Sequence, residues 1–184
     1  MARSGSGALI ALQQAAVELF RERGFDRTTA AEIAARAGVT ERTFFRYFSD
    51  KREVLFDGQA VLASALTAAI ADAPTGLGPL DTLFRAFRSV VPLLEGNRPF
   101  SKPRHEVIAA TPALHERELA KLAALSDALA LALQTRGVPA LRADLAGRAG
   151  LAAFAHATVS WLDHEKPGLA ERIDAAEREL RAML

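Results

Sequence analysis

Residues 28–55 read TTAAEIAARAGVTERTFFRYFSDKREVL, and this stretch decides the fold. Thr29 and Glu32 have the spacing of a capping box, in which each side chain satisfies the other's orphan backbone donor. That start predicts a short helix over Ala30 to Ala37 with Ile33 and Ala34 on its apolar side. Gly38 then supplies the permissive backbone that a tight corner between two helices needs. Thr40 caps the next helix, whose inward residues are Phe44 and, just past its end, Phe48. Asp50 and Glu53 repeat the capping arrangement and predict a third helix starting at Lys51. Two short helices around a glycine corner form a helix-turn-helix, the arrangement that places a helix in the major groove of DNA.

Working outward, a first helix is expected from about Ala8 to Arg23, ended by Gly24 where glycine is favoured. Its stripe of Leu12, Ala16, Leu19 and Phe20 matches Ile33, Val39, Phe44 and Phe48, so three helices close a small head. The Lys51 helix should continue through Val54, Leu55, Val61, Leu62 and Leu66 to about Asp72, as a mechanical link. Ala73 to Pro79 is a loop of helix breakers. Beyond it, helices are expected over Leu80 to Glu95, Arg104 to Ala110, Thr111-Pro112 to Arg136, Leu141 to Glu165 and Leu169 to Leu184. Pro99 and Pro103 bracket an irregular connection. The expected fold class is all-α, with about nine helices. Residues 1–50 form the helix-turn-helix domain, 51–72 a connecting helix, and 73–184 a helical body.

Composition agrees. Half of the 184 residues are hydrophobic, far too many for a disordered chain. Alanine, leucine, arginine and glutamate dominate, without runs of alternating β-branched residues. The chain has no cysteine, which excludes disulfides and cysteine-based zinc sites or nucleophiles and is compatible with a reducing compartment. MARSGSG lacks the apolar core of a signal peptide, and no apolar run approaches the ~20 residues of a membrane span. A cytoplasmic location without membrane association is therefore expected. The net charge is only +1, but residues 1–52 hold nine Lys/Arg against six Asp/Glu and the remainder fourteen against sixteen. A positive head on a slightly acidic body suits a phosphate-binding module. No glycine-rich phosphate loop and no serine, histidine and carboxylate set suggests catalysis, so no catalytic residues and no cofactor are expected. The four histidines show no paired helical spacing, and no metal site is expected.

The run GFDRTTAAEIAARAGVTERTFFRYFSDKREVL resembles the N-terminal domain of the tetracycline-repressor (TetR) family of bacterial transcription regulators. The matching pieces are the helix ending in Gly24-Phe25, the Thr-capped Ile33-Ala34 helix, the Ala37-Gly38-Val39-Thr40 turn and the string Phe44-Phe45-Arg46-Tyr47-Phe48 before Asp50-Lys51. The likeness covers roughly the first 55 residues. It implies a homodimer that sets two recognition helices in successive major grooves of a near-palindromic double-stranded DNA operator. It also implies a ligand-binding and dimerisation body over 73–184, and a repressor released by a small-molecule effector, largely apolar. On the matched positions Thr40, Glu41, Arg42 and Phe45 reach bases or nearby sugars, while Thr29, Thr43, Tyr47 and Lys51 hold phosphates. Two positions depart from many relatives. Phe45 stands where tyrosine is common, leaving an apolar face that could meet a thymine methyl. Arg42 stands where glycine is common. It can read guanine through two hydrogen bonds, worth roughly 1–3 kcal/mol of discrimination, or serve as a phosphate clamp.

In the body, a ligand pocket is expected among Phe84, Phe87, Val91, Phe100, Ile108, Leu122, Ser126, Phe154, Thr158 and Trp161, against the alternative that apolar residues at helical spacing fill the core. Small residues at Ala146-Gly147, Ala149-Gly150 and Ala152-Ala153 let another helix approach closely. With the resemblance, they place Gly147, Gly150, Ala153, Leu169, Ile173 and Leu180 in a dimer interface, intramolecular packing of that face being the alternative. A competing function is an effector-independent, DNA-bound structural or protein-interaction factor.

Overall fold

The computed structural model describes residues 5–183, so the predicted last residue of the final helix, Leu184, lies outside them. The elements are α1 (Gly5–Arg23), α2 (Ala30–Arg36), α3 (Glu41–Tyr47), a 3-10 turn (Glu53–Leu55), α4 (Gly58–Ala71), α5 (Pro79–Ser89), α6 (Val91–Gly96), α7 (Arg98–Ala109), α8 (Pro112–Thr135), α9 (Ala140–Asp163) and α10 (Leu169–Ala182). No strand occurs among the described residues, and the all-α class holds.

Three boundaries differ from expectation, each for a local reason. Asp50 does cap, accepting from the Arg52 and Glu53 amides at 2.7 and 3.2 Å, but the cap launches a single 3-10 turn. Val54, Leu55 and Phe56 are all buried, and three successive inward residues do not fit the one-sided stripe of a surface α-helix. The connecting helix therefore starts at Gly58 rather than at Lys51. The helix expected from Leu80 to Glu95 breaks at Val90 into α5 and α6. Pro92, which cannot donate to the preceding turn, sits in the first turn of α6, where no donor is required. Conversely, Pro99 and Pro103 do not interrupt α7. Pro99 lies in the first turn, and Pro103 forfeits only the bond to the Pro99 carbonyl near the helix's open end.

The chain divides into two compact units, one running to Gly58 and including Pro103–Glu118, the other comprising Gln59–Lys102 and Leu119–Leu184. The head expected over residues 1–50 thus acquires a stretch from far along the sequence. Its buried residues include Leu12, Leu19, Phe20, Ile33, Phe44, Phe48 and Phe56, and burying each such side chain is worth about 1.5–3 kcal/mol. The Phe44 and Phe48 rings lie 5.3 Å apart and those of Phe20 and Phe25 5.2 Å apart. Arg36 reaches from α2 to Glu22 and Glu18 on α1. The distant stretch is tied in by Arg104, which donates to the Leu55 carbonyl and to Glu118 and lies over the Phe56 ring. Burial lowers the pKa of the Arg104 guanidinium, and Glu118 opposes that shift. Arg117 meets Glu53 at 2.7 Å.

In the second unit Leu66, Ile70, Leu83, Phe84, Phe87, Leu129, Leu133, Phe154, Trp161, Leu169 and Ile173 belong to one buried cluster. The small residues of α9 serve this core. A side chain on Gly150 would meet Leu83 at 3.0 Å, and one on Gly147 would meet the Ser126 carbonyl at 3.2 Å. Gly147, Gly150, Leu169 and Ile173 are buried inside the chain, and Ala153 and Leu180 pack partly buried on the same cluster. The expected dimer face is therefore occupied by intramolecular packing, because a groove that accepts a helix accepts the chain's own α5 and α8 first. The apolar side chains that α9 leaves in solvent are others: Leu141, Leu145 and Val159, 73%, 61% and 39% exposed.

Candidate nucleic-acid interface

The first unit presents a helix, a glycine corner and a second helix whose local chemistry is visible atom by atom. The Thr29 hydroxyl accepts from the Glu32 amide at 3.2 Å, and the Thr29 amide donates to Glu32 Oε2 at 2.9 Å, closing the capping box. The Thr29 hydroxyl also donates to that carboxylate. The backbone bond from Thr29 is the main cause holding the Glu32 carboxyl below its ordinary pKa. Gly38 adopts φ +72°, a left-handed conformation that costs a side-chain-bearing residue. It lets the Val39 amide reach back to the Ala34 carbonyl at 2.9 Å. Thr40 then caps α3, accepting from the Thr43 amide at 3.2 Å and sharing a 3.0 Å contact with the Thr43 hydroxyl.

Helix α3 divides cleanly. Phe44 is buried, whereas Glu41, Arg42, Phe45 and Arg46 are exposed. Phe45 is 52% exposed, a large apolar surface to leave in water. Arg42, Thr43, Phe45 and Arg46 line an open concavity of about 580 Å³. Arg42 makes no ion pair or side-chain hydrogen bond with another described residue. Arg46, not among the expected site residues, donates to the Tyr47 hydroxyl at 3.2 Å, and its guanidinium sits 5.0 Å from the Tyr47 ring centre. Its spacing, four residues after Arg42 on the same exposed helix, was the signal that identifies it.

Lys51 is a correction. Its ammonium donates to the carbonyls of Phe25 and Thr28 at 2.8 and 3.0 Å and lies 4.1 Å from the centre of the Phe25 ring. A cation whose donors are taken up by carbonyls braces the turn after α1, and its side chain is not free to hold phosphate. A phosphate role is what its place at an expected helix start implies, since nothing local marks carbonyls 23 to 26 residues upstream.

The residues expected to line a ligand pocket are spread over the buried core, half-buried positions and the first unit. Phe84, Phe87, Val91, Phe154 and Trp161 are members of the second unit's buried cluster. The Phe87 and Phe154 rings stack at 4.4 Å with planes 13° apart, and Phe84 meets Phe87 edge-on. Ser126 is buried, Thr158 donates back to the Phe154 carbonyl at 2.9 Å, and Phe100 and Leu122 are half-buried. Ile108 belongs to the first unit. Among the described residues no group of three or more His, Asp or Glu could hold a metal ion, and no helix is long and apolar enough to cross a membrane.

Residues 12–57 match the family model described as bacterial regulatory proteins, tetR family, and residues 77–184 match the MftR C-terminal domain. The chain belongs to the TetR family. That family consists of transcription regulators, not enzymes. The chain is 40% identical over 76 residues to the HTH-type transcriptional regulator TcmR of Streptomyces glaucescens, covering 41% of this chain and 34% of TcmR. Against TcmR, then, the match spans only about a third of the relative's length. It is 24% identical over 172 residues to MftR of Mycobacterium tuberculosis, a proposed mycofactocin biosynthesis transcriptional regulator, covering 90% and 85% of the two chains. Among solved TetR-family structures it is similar to Thermus thermophilus FadR, a repressor in complex with lauroyl-CoA, with TM-score 0.57, 28% identity and coverage of 94% and 93%.

Proposed function

We propose that this TetR-family regulator is a repressor that binds a near-palindromic operator as a homodimer and releases it when a small, largely apolar effector binds the second unit. The reading is carried by α3, which exposes Arg42, Phe45 and Arg46 while Thr40, Thr43 and Phe44 fix its start and its buried side. Residues 1–50 are the DNA-binding part, and residues 73–184 bind effector and dimerise. Thr40, Glu41, Arg42 and Phe45 face bases, with Arg42 on a guanine and Phe45 against a thymine methyl. Thr29, Thr43 and Tyr47 approach phosphates, joined by Arg46. The dimer forms over the side of α9 that leaves Leu141, Leu145 and Val159 in water, since exposed apolar side chains favour an interface. Two heads one helical turn apart, ~34–36 Å, would span successive major grooves. The protein acts where its operator is, in the bacterial cytoplasm.

The effector must bind the DNA-incompetent state better, and such couplings are typically ~1–3 kcal/mol. An acyl chain like that held by FadR is one candidate. A second reading, an effector-independent DNA-bound factor, is favoured by the direct packing of Phe84 and Phe154 on Phe87. Selection of bound duplexes from random DNA decides the first point: a palindromic consensus is expected, and salt-sensitive affinity without a consensus would overturn sequence-specific repression. Adding lauroyl-CoA and a panel of apolar compounds to the selected complex decides the second. Release by any of them supports the effector, and release by none supports the second reading.

A further inference from the structure

Among the described residues, two buried side-chain polar atoms have no hydrogen-bond partner: Gln59 Oε1 and Arg98 Nε. The first is an amide oxygen that can exchange places with its nitrogen by rotation. The second is part of a permanent cation and cannot be relieved that way. Arg98 opens α7, and its guanidinium lies 5.3 Å from the centre of the buried Trp161 ring. Its Nη2 reaches the carbonyls of Trp161 and Leu162 at 3.5 and 3.4 Å, the long end of the hydrogen-bond range. One turn later Lys102 donates to the same Leu162 carbonyl at 3.2 Å.

Two cations thus share one acceptor at the end of α9, and neither forms an ion pair with a described carboxylate. The negative end of a helix attracts one positive charge, yet a buried guanidinium N–H without an acceptor remains costly. The Arg98 Nε donor is therefore left for an acceptor that the described residues do not supply. Arg98 is held by long bonds, so its fork can turn from the carbonyls to a carboxylate or phosphate, with Lys102 as the second donor and Trp161 as an apolar wall.

We infer that Arg98 and Lys102 read an anionic head group on the effector, a carboxylate or phosphate carried on an apolar body. This rests on the effector reading above and goes beyond it by giving the ligand a charge and the charge a place. The test uses the full-length protein and three probes of one chain length: decanoate, decyl phosphate and the neutral 1-decanol. Binding is measured by calorimetry for wild type, Arg98→Gln, Arg98→Lys and Lys102→Gln. At least one anion should bind about tenfold or more tightly than decanol, the scale of a hydrogen bond to a charged group. The preferred anion identifies the head as carboxylate or phosphate. Arg98→Gln and Lys102→Gln should remove most of that preference and leave decanol unchanged, while Arg98→Lys should restore part of it.

Equal binding of decanol and both anions to wild type would overturn the inference while leaving an apolar effector intact. A preference that survives in Lys102→Gln and in folded Arg98→Gln would also overturn it, leaving the pair as a cap on α9. No binding of any probe counts against the charged head; the effector reading itself falls only if the broad panel fails to release DNA.

Discussion

On α3, Arg42 stands in solvent with no acidic partner among the described residues, whereas in the second unit Arg88 on α5 grips Asp174 and Glu177, and Arg181 on α10 grips Asp81 and Glu177. The residue type is the same and the physics differs. A paired surface arginine adds little stability and has its field largely cancelled by its neighbours. An unpaired one costs nothing in water and keeps its whole attraction for a phosphate or a guanine edge. Small residues divide the same way. Gly38 in the first unit serves a backbone conformation, with nothing within 4 Å of where a side chain would begin, whereas Gly150 in the second serves close approach.

Phe44→Ala should cost about 3–5 kcal/mol by emptying the middle of the first unit. Chemical denaturation should show that loss with DNA binding weakened on every sequence, and unchanged stability would mean Phe44 is not core. Gly150→Val forces a side chain against Leu83 and Phe87 and should destabilise by about 1–3 kcal/mol, with operator preference in the folded fraction untouched. A shift in base preference there would deny the division of roles. Arg42→Ala should leave the melting temperature unchanged and relax discrimination at one position per half-site by about 1–3 kcal/mol. Uniform weakening on all sequences would make Arg42 a phosphate clamp.

The smallest effect expected is at the capping box, where Thr29→Ala should cost about 1 kcal/mol. Glu32 adds a pH signature. Its folded pKa lies below the ordinary 4.5, so its stabilisation is complete above that value and is lost as pH falls through the folded pKa. Glu32→Gln should flatten that acid-side decline in a pH series of melting curves, and an unaltered decline would place its cause elsewhere.

The helix-turn-helix was legible because its signals are local. A capping box spans four residues, a glycine corner one, and Phe44 and Phe48 repeat at helical spacing. The roles of Lys51 and Arg104 were not legible, since their partners are backbone carbonyls 23 to 26 and 49 residues away that no pattern marks. The α9 glycines are legible as sites of close helix approach, and Gly147 and Gly150 make that approach to the chain's own α8 and α5. Spacing reports that a helix comes near, not whose helix it is. The pocket residues are not legible for a related reason, because apolar periodicity is identical for a wall and for a filling.

Arg104 on the Leu55 carbonyl and the Phe56 ring, with Arg117 on Glu53, has a consequence for how such proteins can be cut and recombined. A fragment ending near residue 58, where the homology to the DNA-binding model stops, is not the piece that is built as a unit. A chimera that joins this head to a foreign body at that point inherits a Phe56 ring and a Leu55 carbonyl waiting for an arginine the new body was never selected to supply. Shuffling heads among relatives will succeed where residues 103–118 travel with them, so this regulator's modularity follows a discontinuous seam.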